Sequence, residues 1–309
     1  MTTRLYTHPA CIEHNPGRYH PECPERLRSV LEGLNTDGFK HLEKVEAPEV
    51  DLEEIQRVHT SSYIQEVLDK IPLEGRVRLD PDTAVSSSSG QATRCAAGAV
   101  VTATRAVLEK KIDNAFCAVR PPGHHAEASQ AMGFCLFNSA AIGAFHARSE
   151  YGLSRVAVID FDVHHGNGTQ HSFEHDKGLF YASSHQYPAY PGTGLRKETG
   201  DFNNICNFPL SPGAGSAEFQ AGYVETILPA IEKFEPELII LSAGFDGHTL
   251  DPLAELNLQT EDYSWVNRKI LDVADKVCDG RVVSVLEGGY DQKALQECAK
   301  VHVSAMMER

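Results

Sequence analysis

Aspartate and histidine two residues apart, directly after an apolar run, form a pattern that can hold a metal ion. In "VAVIDFDVHHGNGTQH" (156–171) the run Val156–Ile159 leads into Asp160, Asp162, His164 and His165. On an extended strand end, residues two apart face the same side, so Asp162 and His164 project together. Asp246, which follows a second apolar run in "IILSAGFDGH", can supply a third ligand. One imidazole and two carboxylates leave a divalent ion such as zinc with open positions for water and a substrate oxygen, as in a catalytic site. A lone Asp-x-His serves as well to cap a strand and bond a loop, and it is the company of Asp246 and of other polar strand ends that turns the reading towards metal.

Two further groups suit the same chemistry. "RPPGHHAE" (120–127) holds His124 and His125 behind a rigid Pro-Pro-Gly turn. Histidine titrates nearest neutrality, so the pair can act as general base and acid on a metal-activated water. Tyr290 follows Gly288 and Gly289, where the backbone can approach a ligand and aim a phenol at a developing oxyanion. Asp160, two residues before Asp162, can face the same crevice and orient a histidine, and Asn167 can do the same. Both are also ordinary turn residues, Asn167 more so, since "HGNG" is strongly turn-like.

These residues lie far apart in sequence, and the elements between them must bring them together. Apolar runs of strand length recur at "RLYTH", "NAFCAVR", "RVAVIDFD", "LFYASS", "ELIILSAG" and "RVVSVLEGG". Stretches with apolar spacing of three to four lie between most of them: 24–34, 52–70, 90–111, 132–149, 216–234 and 260–277. Continuous Val/Ile/Leu strands alternating with helices predict a single α/β domain over residues 1–309, a mostly parallel sheet with helices on both faces. Ligands of such sheets bind beyond the carboxyl ends of the strands, so the turns after "AVR", "AVID", "FYAS", "IILSAG" and "VSVLEG" should meet in one site.

The chain has 309 residues, 41% of them hydrophobic, enough for a sizeable core. A formal charge of −15 without a dense basic cluster argues against direct nucleic-acid binding and favours a cationic substrate. The eight cysteines are scattered without a C-x-x-C pair, as in a reduced, cytoplasmic protein. The N-terminal stretch shows no charged-then-apolar signal, and no apolar run approaches the roughly 20 residues of a membrane span. "SSSSG" (86–90) reads as a loop capping the small-residue helix after it.

In order along the chain, "HPECPER" (20–26), "RPPGHHA" (120–126), "GFCLFNSAA" (133–141), "DFDVHHGNGTQ" (160–170), "YPGTG" (190–194), "SAGFD" (242–246) and "LEGGY" (286–290) closely resemble the histone deacetylase superfamily. The likeness is to its class II branch and to bacterial acetylpolyamine amidohydrolases and deacetylase-like amidohydrolases. It implies an arginase-like α/β fold and zinc-dependent removal of an acyl group from an amine, either an acyl-lysine peptide or protein or an acylpolyamine. By position, the resemblance makes Asp162, His164 and Asp246 ligands of one zinc ion per chain. It makes His125 the general base and acid, His124 its electrostatic partner and Tyr290 the carbonyl polariser, with Asp160 and Asn167 orienting His124 and His125. Asparagine at 167 follows the class II pattern; class I usually has aspartate.

The resemblance also implies a tunnel walled by Gly133, Phe134 and Tyr190, the last in place of the commoner phenylalanine. It further implies a potassium site at Asp160, Asp162, His164, Ser183 and Ser184. Asp82 matches the rim aspartate that holds the substrate backbone, with Asp80 as competitor. Leu253 stands where the polyamine-selective relative carries a glutamate, which tilts the reading to acyl-lysine-type or broad short-acyl substrates. A ureohydrolase with two manganese ions needs a carboxylate two residues beyond the ligand histidine, where this chain has Gly166. A non-catalytic acyl-lysine-binding scaffold should lack a catalytic residue, and none is missing. The role of His165 and the question of homo-oligomers stay open.

Overall fold

The computed structural model describes residues 2–309. Among these, ten strands form: β1 (Thr3–Thr7), β2 (Glu43–Glu46), β3 (Arg76–Arg78), β4 (Ala84–Ser86), β5 (Asn114–Cys117), β6 (Val156–Asp160), β7 (Leu179–Gln186), β8 (Ile205–Leu210), β9 (Leu238–Ala243) and β10 (Val282–Leu286). Eight make one sheet in the order β2-β1-β5-β10-β9-β6-β7-β8, with every neighbouring pair parallel. β3 and β4 pair separately and antiparallel. The central strands β5, β10, β9 and β6 are buried along their whole length, which is why they read as unbroken apolar runs.

Register shows how the helices divide between the faces. Ile240 on β9 is the partner of Val283 on β10. Ile240 reaches Gly143 of helix Ser139–Tyr151, which packs on Val100 of helix Ser89–Leu108. Ser284, one residue on from Val283, points to the opposite face, where its hydroxyl lies 2.8 Å from His302 Nε2 in helix Gln292–Met307. That second layer also holds helices Thr260–Cys278 and Pro24–Gly33. The α/β architecture with helices on both faces of a parallel sheet agrees with the sequence expectation.

Local departures have local causes. The stretch 52–70 is two helices, Leu52–Ile55 and Ser61–Asp69, because the Thr60 hydroxyl accepts from Tyr63 N at 3.3 Å and starts a new helix. The stretch 132–149 is helical only from Ser139, where Asn138 Oδ1 caps Ala141 N at 3.0 Å. Helix Ser216–Gly222 passes through a π turn at Tyr223–Ile227 before Leu228–Phe234, and Pro229, which has no N–H, lies at that junction. The serines of "SSSSG" do not cap helix Ser89–Leu108 through Ser88; Ser89 Oγ instead accepts from Ser86 N at 2.7 Å. The strands without a clear sequence signal are edge strands: "EKVE" is polar, and "ICNFPL" contains Pro209, which an edge tolerates. Helix Asn167–Phe173 forms where "HGNG" reads as a turn.

Candidate active site

The ends of β6 and β9 lie side by side, Asp160 in register with Ser242, so the turns after them meet. Asp162, His164 and Asp246 offer ligand atoms that all lie within 4.8 Å of one another. Backbone N–H groups hold both carboxylates: Gly288 N donates to Asp162 Oδ2 at 2.8 Å, His164 N to Asp162 Oδ1 at 2.9 Å and Val163 N to Asp246 Oδ1 at 2.9 Å. Asp162 Oδ1 and Asp246 Oδ2 face His164 Nδ1, at 3.2 Å and 3.0 Å. Burial and the neighbouring Asp162 push the Asp246 carboxyl up to about 7. Burial opposes charge on His164, but the two carboxylates outweigh it and raise the imidazole to about 10. Two buried carboxylates that draw a proton onto the imidazole between them form a site with a deficit of positive charge, and this nitrogen and oxygen donor set fits a divalent metal.

Behind the trio stands the histidine pair, with rings 4.0 Å apart. His124 Nδ1 is 3.0 Å from Asp160 Oδ2, and His125 Nδ1 is 2.8 Å from Asn167 Oδ1. Burial disfavours charge on His124, yet Asp162 and Asp160 hold its imidazole at about 10. His125 is driven the other way, well below the usual range, by burial and then by His124 and His164. The pair is thus split into one charged and one neutral ring, the division an acid–base site needs.

His125, His164 and Tyr290 line a pocket of about 200 Å³ with Asp82, Gly133, Phe134, Tyr190 and Leu253, the place where the resemblance implied a tunnel. Tyr190 packs edge-on to His125 at 5.0 Å, and Phe134 meets Tyr290 at 5.9 Å. Gly133 is at φ +56°, and a Cβ there would come within 2.3 Å of the His125 ring. Burial pushes the Tyr290 phenol well above its ordinary value, so it keeps its proton for donation. Asp82 lines the tunnel, while Asp80 turns its Oδ1 to Asp82 N at 2.9 Å and Thr83 N at 2.6 Å. Leu253 stands at the mouth, 39% exposed.

Ser183 is in register with Asp160, its hydroxyl 2.9 Å from His185 Nδ1, and the Ser184 hydroxyl is 3.1 Å from Tyr223 Oη. Gly166 has no room for a side chain: a Cβ would lie 2.4 Å from Asp160 Oδ2 and 2.6 Å from Tyr181 Oη. His165 does not line the pocket; its Nδ1 is 2.7 Å from Thr193 Oγ1 and its Nε2 2.9 Å from Gln170 Oε1, tying the turn after β6 to the loop that carries Tyr190.

Several buried charged residues had no role in the sequence reading, although they lie within or near its motifs. Glu22 is fully buried and pairs with Arg120, with Arg26 at 3.0 Å and with His14 at 3.3 Å. Arg26 donates to the carbonyls of Glu287 and Gly289 and stacks 4.7 Å from the Tyr290 ring. Glu287 accepts from Gly123 N at 2.7 Å and His124 N at 3.2 Å, bracing the histidine turn. Asp251 accepts from Tyr290 N at 2.6 Å. The only signal for them was a charged residue set among turn and apolar residues.

The sequence from residue 20 to 306 matches the family model described as "Histone deacetylase domain". The type-2 histone deacetylase 2 of Dictyostelium discoideum is 36% identical over 99% of this chain, which spans 21% of that larger protein. The histone deacetylase-like amidohydrolase of Pseudomonas aeruginosa is 35% identical over 90% of this chain and 74% of its own length. Among solved structures, the crystal structure of the HDA15 HD domain superposes with a TM-score of 0.92 at 33% identity, covering 98% of this chain and 88% of that one. With its sheet, its strand-end residues and these matches in agreement, the chain belongs to the histone deacetylase family of hydrolases acting on amides.

Proposed function

We propose that the chain is a zinc-dependent deacylase acting on the amide of an acylated amine, with acyl-lysine-type or broad short-acyl substrates, and that residues 1–309 form one catalytic domain. The observation that carries this reading is the meeting of His164, His125 and Tyr290 on one pocket, with Asp162 and Asp246 beside His164. A cavity of about 200 Å³ walled by aromatic rings suits a linear chain better than a bulky ligand.

Asp162, His164 and Asp246 hold the zinc, which when bound polarises the amide carbonyl and acidifies a water. His125 is neutral and takes a proton from the attacking water on Nε2, the ring nitrogen not bonded to Asn167. It then passes that proton to the departing amine. His124, kept charged by Asp160 and Asp162, stabilises the negative charge that develops, and Tyr290 donates to the carbonyl oxygen as it becomes an oxyanion. A potassium ion at Asp160, Asp162, His164, Ser183 and Ser184 belongs to the same proposal, supported by the register of Asp160 with Ser183. The eight cysteines are free thiols, which suits a reducing, cytoplasmic setting.

An acetylpolyamine deacetylase is the second reading, favoured by the charge of −15 and by the Asp82 carboxylate on the tunnel. Leu253 at the mouth weighs against it, having no charge to select an internal ammonium. The filled space at Gly166 weighs against a two-metal ureohydrolase. Turnover of zinc-loaded protein across a panel of acyl-lysine peptides and acylpolyamines decides between the first two. We expect amine release, fastest from acyl-lysine peptides; preference for polyamines reverses the substrate assignment, and no release from any member overturns the function.

A further inference from the structure

The side-chain amide of Asn167 can face His125 in two ways, and they give opposite tautomers. With Oδ1 towards His125, the ring carries its proton on Nδ1 and presents a free Nε2 lone pair to the tunnel. With Nδ2 towards His125, Nδ1 must accept, and the proton moves to Nε2, where a base is needed. The two amide orientations have almost the same shape, and His125 adds only a long contact to the choice, its carbonyl 3.4 Å from Asn167 Nδ2.

Glu127 supplies the asymmetry. Asn167 Nδ2 lies 2.5 Å from Glu127 Oε1. A carboxylate only accepts, so this contact is favourable with the amide N–H towards Glu127 and repulsive with the carbonyl towards it. The carboxylate and its backbone are themselves fixed from three directions. His171 Nδ1 lies 2.8 and 3.0 Å from its two oxygens, and His171 is one turn beyond Asn167 on helix Asn167–Phe173, so one helix face presents both residues to Glu127. The Glu127 backbone N–H donates to Gln130 O at 2.9 Å. Its carbonyl lies 2.8 Å from His59 Nδ1, whose Nε2 accepts from Asn138 N at 2.9 Å, so His59 is committed to donating there. Arg57, a cation on that surface, is engaged by Glu54 and Glu150.

We propose that Glu127 is a positioning residue that sets the tautomer of His125 by locking the amide orientation of Asn167. The inference rests on the reading of His125 as general base, but its primary readout does not use activity. Two-bond ¹⁵N–¹H correlation spectra of metal-free protein, with the His125 signals assigned by their loss in His125→Ala, report which ring nitrogen carries the proton. Wild type should show Nδ1–H alone. Glu127→Gln, whose amide can present either a donor or an acceptor, should show a mixture of tautomers and lose several-fold in kcat with KM little changed.

Asn167→Asp alone sets two carboxylates against each other and should also lose activity. Combining Asn167→Asp with Glu127→Gln restores a one-way arrangement, since the carboxylate introduced at position 167 accepts from both His125 and the glutamine amide. This double variant should regain Nδ1–H and most of kcat. Unchanged tautomer and kcat in Glu127→Gln, or a double variant as poor as the product of the two singles, would overturn the proposal. Absence of turnover in wild type would instead overturn the deacylase reading, and the NMR result would still decide the role of Glu127.

Discussion

Two adjacent histidines with the same intrinsic chemistry end in opposite charge states because burial at His124 is offset by Asp162 and Asp160, whereas burial and then the neighbouring His124 and His164 prevail at His125. His124 meets the carboxylate of Asp160, and His125 meets the neutral amide of Asn167. In the proposed mechanism Tyr290 is the complementary acid, and burial keeps it as a phenol. Removing its hydroxyl leaves the ring packing on Phe134 and Arg26 and deletes only the donor proposed for the oxyanion. Tyr290→Phe should therefore lower kcat by roughly 10²–10³-fold with KM nearly unchanged, measured by steady-state kinetics on an acyl-lysine peptide. A matching rise in KM would place Tyr290 in substrate binding instead.

The strands deliver the reactive groups, but loops and one helix hold them in place, and those loops are joined by a buried ionic cluster. Glu22 links Arg120, which precedes the histidine turn, to Arg26, which holds the carbonyls around Tyr290. Burying these charges is tolerable only while they are paired. Glu22→Gln leaves two buried guanidinium groups short of a counter-charge and should cost about 3–5 kcal/mol of stability, read by denaturant unfolding. Exposed pairs such as Arg28 with Glu25 should contribute at most about 1 kcal/mol, and an equally small effect at Glu22 would show that the cluster does not brace the site.

Across the whole molecule, buried neutral histidines couple stability to pH. Burial lowers His59 and His185 to about 4 and His302 to about 3. Below the ordinary value of 6.5 the unfolded chain binds protons that these three residues refuse in the folded state, so the stability they contribute is full above pH 6.5 and is lost as pH drops towards 4. His124 and His164, raised to about 10, stay charged in the folded state while the unfolded chain titrates around 6.5, so they oppose that fall near pH 6.5–7 and add little slope once pH is well below 6.5. Each refused proton costs about 1.4 kcal/mol per pH unit. Unfolding free energy measured from pH 7 to pH 5 should therefore fall, and His302→Gln should make the fall shallower by about one proton. An unchanged slope in that variant would mean that His302 takes up its proton inside the core.

Strand ends, metal-type ligands, the histidine pair and Tyr290 were legible in the sequence because a parallel sheet puts polar chemistry where apolar runs stop. Asp162, His164 and Asp246 are recognisable by residue type, and the fold class follows from the alternation of strand and helix. Gly166 shows the limit: its missing carboxylate is visible in the sequence, but the reason none fits, the Tyr181 hydroxyl and Asp160, lies in the packing. The choice of Asp82 over Asp80 on the tunnel depended on how one turn folds, since both are carboxylates two residues apart. Glu22 gains its weight from Arg120, 98 residues away, and Glu127 from Asn167, 40 residues away. Residue type and spacing determine which groups can do chemistry. Their charge and tautomer depend on partners distant in sequence and on the burial that strengthens those contacts, and only the tertiary structure supplies both.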